Sequence, residues 1–251
     1  MNKQKHFYLI KGLIREAEHW GDFPKILKEQ FPEAKISFID IPGAGEFVTH
    51  KTPLSVPKIT KFMRQKFLLL KNDNEESIIL AISLGAMIAT CWMKNFKHDF
   101  QKAVLINTSF GDYSPFYHRL KPKALFYLSK VPLLTGRSKE ERIIKLVSNN
   151  SLHFDKTIQL WEKIAKERPV SLENTMRQLL AASVFRVGKF KPHIPVLLLG
   201  STNDRMVSIK CSREIAEKWS VPLHEHPEGG HHLTSDDPLW VSQQIKNWIK
   251  S

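Results

Sequence analysis

Apolar positions along the chain follow two alternating patterns. Short, continuous, β-branched runs occur at 6–10 (HFYLI), 35–41 (KISFIDI), 77–82 (SIILAI), 102–108 (KAVLINT), 194–200 (IPVLLLG) and 221–226 (VPLHEH). Between them lie stretches with helical spacing of apolar side chains, near 22–30, 57–70, 84–94, 209–219 and 238–249. Strands that are apolar throughout, alternating with amphipathic helices, predict an α/β fold whose mostly parallel central sheet is covered on both faces.

The alternation stops between about 112 and 190. That stretch opens with Asp112-Tyr113-Ser114-Pro115 and continues with helical candidates near 116–130, 138–149, 155–167 and 171–186. No strand-like run interrupts it. The chain is therefore expected to hold an N-terminal core part (1–111), a helical cap (112–190) and a C-terminal core part (191–251). An all-helical insertion leaving the sheet after one strand reads as a lid over the strand ends.

Composition narrows the picture without changing it. Hydrophobic residues make up 42% and charged residues 25% of 251 positions, an ordinary globular balance. Thirty-eight Lys and Arg against 25 Asp and Glu give a net charge of +13. The basic residues are scattered, as at Lys58, Lys61, Arg64 and Lys66, rather than gathered with aromatics on one element, so no nucleic-acid partner is expected. The basic balance does admit an acidic partner, such as a carrier protein bearing the substrate or an anionic lipid surface. Cys91 and Cys211 form no disulfide or metal-ligand pattern, which suits a reducing, cytoplasmic setting. The apolar stretch before Lys11 is too short for a signal-peptide core, and no run approaches a membrane span.

The stretch LAISLGAMIA, 80–89, carries the clearest chemistry. Ser83 lies between a β-branched run and a helix-forming run, with Ala81 two before it and Gly85 and Ala86 just after. A nucleophile at the end of a parallel strand needs a sharp, strained turn, and its neighbours at minus two and plus two must be small. The helix that follows offers its N-terminal N–H groups to an anion. Further on, VLLLGSTNDRMV ends a buried strand with a loop bearing Asp204, and HPEGGHHLTSDDPLW follows the last strand with His231 and His232. Each of Ser83, Asp204 and His231 follows a predicted strand, in the order Ser, Asp, His. Gly229 and Gly230 are read as allowing a tight, left-handed turn that delivers His231 to the site. His224, His226, His231 and His232 invite a metal reading, but no carboxylate or cysteine at ligand spacing completes it, so no metal is expected. Asp236 and Asp237 are read as caps for the last helix. No GxxxxGK or GxGxxG phosphate loop is present.

With these residues the chain resembles the α/β-hydrolase superfamily over nearly its whole length. YLIKGLIREAEHW is similar to the family's first-strand loop, with Lys11 where a histidine is common, Gly12 and Leu13 beside it, and Trp20 as the closing aromatic. FIDIPGAGEF is similar to its Asp-x-Pro-Gly-x-Gly turn, carried here by Asp40, Pro42, Gly43 and Gly45. The resemblance implies a capped, esterase-like serine hydrolase. Ser83 would be the nucleophile, His231 the base and Asp204 its orienting acid, with the N–H groups of Leu13 and Leu84 as the oxyanion hole. It would cleave a small-molecule carboxylic ester or thioester through an acyl-enzyme, without a cofactor. Trp20, Tyr113, Phe116 and Trp161 are candidate substrate contacts. The competing class is a non-hydrolytic protein on the same fold: a lyase, a cofactor-free perhydrolase or an inactive binding protein.

Overall fold

The structure is a computed structural model and describes residues 3–250. Its six strands are β1 (Gln4–Ile10), β2 (Lys35–Phe38), β3 (Glu75–Ile82), β4 (Lys102–Ile106), β5 (Val196–Ser201) and β6 (Leu223–His226). They form one sheet in the order β2-β1-β3-β4-β5-β6, and every neighbouring pair is parallel. Each strand falls on one of the six apolar runs. The second ends earlier than its run, because Asp40 turns away to accept N–H groups from Ala17 and Glu46.

The helices, in chain order, are α1 (Phe23–Gln30), α2 (Val56–Leu70), α3 (Leu84–Asn95), α4 (Phe116–Arg119), α5 (Pro122–Ser129), α6 (Gly136–Val147), α7 (Phe154–Glu167), α8 (Leu172–Val184), α9 (Ile209–Trp219), α10 (Leu233–Asp236) and α11 (Pro238–Lys250). Strand side chains alternate between two cores. Tyr8, Ile10, Ile79 and Ala81 pack with α2, α3 and α9 on one face. Phe7, Leu9, Ile78, Leu80 and Ile82 pack with α1 and α11 on the other. Both faces are dry, as continuous apolar strands require.

Helices α4–α8 fill the interval between β4 and β5. They do not behave as one unit: α5, α6 and α7 share a small core of their own around Ile143, Ile158, Trp161 and Ile164. By contrast, Ala181 of α8 and the following Phe185 and Val187 pack into the core beneath.

Chain order reverses between β1 and β3, since β1 leads outward to β2 and β3 leads the other way to β4. Such a switch point leaves a crevice at the strand C-termini, where ligands of open parallel sheets bind. Residues 11–13 leave β1 and Ser83 leaves β3 at the two sides of that crevice.

Candidate active site

Ser83 follows β3 with φ 56° and ψ −120°, a conformation that costs a non-glycine residue about 1–3 kcal/mol. Its surroundings hold it there. The Ser83 N–H donates to the Ile106 carbonyl at 2.9 Å, and its own carbonyl accepts from Ala86 N, Met87 N and the Thr108 hydroxyl at 3.0–3.2 Å. The small residues around it answer to space. A Cβ on Gly85 would lie 2.4 Å from the Lys11 carbonyl oxygen and 2.6 Å from that of Ile10, so α3 can start this close to β1 only with glycine there. A Cβ on Gly12 would stand 3.0 Å from that of Ser83, so the chain leaving β1 passes directly against the serine. Gly85→Ala is expected to cost about 2–4 kcal/mol in stability, because both clashes are with backbone. A urea midpoint equal to that of the unmodified protein would refute this packing account.

Among the described residues, neither the Leu13 N–H nor the Leu84 N–H has a protein acceptor. The loop presenting Leu13 is pinned on both sides. Ile14, at φ 51°, donates its N–H to Gln178 Oε1 of α8 at 2.8 Å, and Arg15 N donates to the Gly12 carbonyl at 3.3 Å. Below it, Asp40 anchors the following turn. A Cβ on Gly45, at φ 52°, would collide with the Asp40 carboxyl. Burial pushes the Asp40 pKa up to about 7.

Asp204 sits in the loop after β5. One carboxylate oxygen accepts the N–H groups of Met206 and Val207 at 2.7 and 2.9 Å, and the other accepts the Nδ1–H of His231 at 2.7 Å. Both residues are buried. With Nδ1 carrying the proton, Nε2 is left as an acceptor. His231 and Ser83 both border a cavity of about 200 Å³.

Three residues set the His231 loop: Asn107, which the sequence did not single out, and Asp236 and His226, which it read in other roles. Asn107, at φ 47° after β4, donates through Nδ2 to the carbonyls of His231 and Gly230 at 2.9 and 3.2 Å and accepts the Ser201 N–H. Asp236 accepts from Gly230 N at 2.6 Å, Asn149 N at 2.8 Å and the Ser148 hydroxyl. It therefore ties the loop to the end of α6, and Asp237 alone caps α11, accepting the Trp240 N–H at 2.9 Å. His226 accepts the Gly229 N–H at 2.7 Å. Gly229 and Gly230 are absent from the left-handed region, contrary to expectation. Gly230 is needed for room, since a Cβ there would lie 2.7 Å from the Val147 carbonyl.

His232 has no carboxylate partner. Its ring stands edge-on to Trp161, and among the described residues the ring's polar contact is with the Ser235 hydroxyl at 3.4 Å. It belongs to a buried basic cluster with Lys11, Arg15 and His19. Burial, and then the charges of Lys11 and Arg15, hold the His232 pKa well below the usual histidine range. Burial likewise lowers Lys11, whose Nζ lies 4.2 Å over the Trp20 ring and 3.4 Å from the Thr234 hydroxyl. Arg15 pairs with Glu140 at 3.3 Å and stacks on Trp161.

The four aromatic contact candidates lie elsewhere. Trp20 is in the core under Lys11 and against Phe23. Tyr113 packs on Phe110 and accepts the Trp219 indole N–H. Phe116 projects into solvent from α4, and Trp161 backs Arg15 and His232 without reaching the cavity wall. The apolar wall is instead made by Leu128, Val131 and Ile143 together with Leu172, Met176 and Leu179 of α8. The helical spacing at 172, 176 and 179 is the sequence signal that could have found it. The candidate histidines also separate: His226 Nε2 lies 3.2 Å from Asp237, whereas His224 Nδ1 is buried without a partner.

A wholly parallel sheet, a strained serine after its central strand, and an Asp–His pair beyond later strands define the α/β-hydrolase superfamily. The serine aminopeptidase S33 family model matches residues 12–238, and the chain belongs to that family. Solved structures share the fold at low identity. An esterase from Exiguobacterium antarcticum superposes with a TM-score of 0.78 at 14% identity, covering 100% of this chain and 94% of that one. A thermophilic esterase from Thermogutta terrifontis gives 0.72 at 15%, covering 100% and 91%. A candidate non-heme bromoperoxidase, BpoC of Mycobacterium tuberculosis H37Rv, gives 0.74 at 17%, covering 100% and 93%. No curated protein matches the chain.

Proposed function

We propose that the protein hydrolyses a carboxylic ester or thioester through an acyl-enzyme on Ser83. The carrying observation is the buried 2.7 Å His231–Asp204 hydrogen bond, bordering the same cavity as a serine held at positive φ. Ser83 Oγ attacks the carbonyl carbon while His231 Nε2 takes its proton. Asp204 keeps the Nδ1 proton in place and stabilises the imidazolium. The carbonyl oxygen, now negative, accepts the N–H groups of Leu13 and Leu84. One such donor contributes about 3 kcal/mol to lowering the barrier. The imidazolium then protonates the departing alcohol or thiol, and water attacks the acyl-enzyme by the same route in reverse.

Helices α5, α6 and α8 act in this reading as a cap that walls an acyl pocket. An aminopeptidase must seat a substrate ammonium, which calls for a carboxylate in the cavity. Among the described residues none lines it, and its charged group is the cationic Arg15. That favours an ester over a peptide. A dry apolar cavity of about 150 Å³ holds a benzene ring, so this one has room for about eight carbons. With p-nitrophenyl esters of increasing acyl length, kcat/KM is expected to rise about fourfold per CH₂ up to roughly octanoyl and then level off. Fastest turnover of the acetyl ester, or of an aminoacyl p-nitroanilide, would contradict the apolar acyl pocket.

A further inference from the structure

The inserted helices concentrate two features on their outer surface. Of the fifteen large apolar side chains exposed among the described residues, eleven lie between Phe116 and Val184. The segment 112–190 also holds fifteen Lys and Arg against seven Asp and Glu, so it carries +8 of the chain's net +13. On the α5 side, Phe126 is 66% exposed and Leu133 82%; on α8, Leu172 is 68% and Met176 57%. Solvent-exposed leucines at such density mark an interaction surface rather than ordinary scatter.

This surface is continuous with the catalytic cavity. Leu172 and Met176 are exposed and line that cavity as well, together with Leu128 and Val131 of the α5 side. The mouth is therefore rimmed by apolar side chains exposed to water. Around it two cations are free to engage an anion. Lys123 and Lys130 have no carboxylate partner among the described residues, and Lys130 lies over the Phe126 ring at 4.7 Å. Lys121, Lys123, Lys145 and Arg205 border the groove on the other flank of α5, which the exposed Glu228 and the buried Asp204 also line.

We infer that this face docks on an anionic lipid surface and opens the cavity mouth toward it. Apolar side chains among unpaired lysines match both layers of such a surface, acyl chains below and phosphate headgroups above. A second copy of this chain fits poorly, because it would bring two strongly positive faces together. The inference rests on the proposed ester site only for why the mouth should face lipid; binding itself needs no catalysis.

The test is co-flotation of the full chain with phosphatidylglycerol–phosphatidylcholine vesicles and with phosphatidylcholine vesicles. Both the unmodified protein and Ser83→Ala are expected to float with the anionic vesicles at least tenfold more strongly. Leu133→Asp combined with Phe126→Asp should abolish flotation, and Lys123→Gln with Lys130→Gln should weaken it about 25-fold, near fivefold per lysine. All four substitutions should leave kcat/KM on a short, soluble p-nitrophenyl ester within twofold. Equal flotation with both vesicle types, or none, overturns the inference. So does a concentration-dependent dimer that Phe126→Asp dissociates, or capture by an acidic acyl-carrier protein in place of vesicles. Flotation by a protein inactive on every ester would retain the docking surface and remove the ester reading.

Discussion

Ser83→Ala is expected to lower kcat by on the order of 10⁶ while leaving the fold intact. The size follows from what one atom does in the proposed mechanism. Without Oγ no acyl-enzyme forms, and the donors at Leu13 and Leu84 have no tetrahedral intermediate to stabilise. The fold should survive because alanine meets the same φ of 56° and the same backbone hydrogen bonds to Ile106 and from Ala86. Ser83→Gly, equally inactive, should gain about 1 kcal/mol in urea unfolding, since glycine adopts that φ without strain. A Ser83→Ala variant retaining a tenth of the activity would end the nucleophile assignment.

The second large effect separates two adjacent histidines. His231→Ala is expected to be nearly as damaging as loss of the serine, and His232→Ala to reduce kcat/KM about tenfold or less. Only His231 has a carboxylate on Nδ1, and only with that proton fixed can Nε2 receive one from the serine. His232 lacks such a partner, and its buried, basic surroundings oppose the imidazolium that a base must become. The reverse ranking would move the base to His232 without touching the fold. Equal, mild effects would deny the serine a base from this loop.

How much of this was legible in the chain depends on how local each cause is. The turn at Ser83 is written in five residues, because strand, turn and helix start are all set by neighbours in sequence. The need for glycine at 85 follows from the same local crowding, although the atoms it avoids belong to Lys11 and Ile10. The sheet was legible because strands buried on both faces must be apolar at every position. The wall of the cavity was not. Trp161 and Leu172 both sit at helical spacings, and which one meets the cavity depends on how α7 and α8 lie over the strand ends. Aromatic type was a poor guide, since large rings filled cores first, as Trp20 and Tyr113 do. Asn107 escapes the sequence reading, and Asp236 takes a helix-capping role there, for another reason. Each acts on the His231 loop from far along the chain or through backbone N–H groups, and such contacts leave no periodicity. Gly229 and Gly230 stand out in the sequence, but for another cause than a left-handed turn: Gly230 passes under the Val147 carbonyl and Gly229 against the Leu233 side chain, which only the packed structure reveals.

The central claim is that Ser83 is the group that attacks the substrate carbonyl. Its most direct test is reaction of the active protein with an organophosphonate, which traps an activated serine irreversibly, followed by mapping of the adduct on proteolytic peptides. A single phosphonylated residue, Ser83, is expected, with ester hydrolysis lost in step with labelling and no adduct in His231→Ala. An adduct on another residue, or full labelling resistance in a protein that turns over esters, would contradict it.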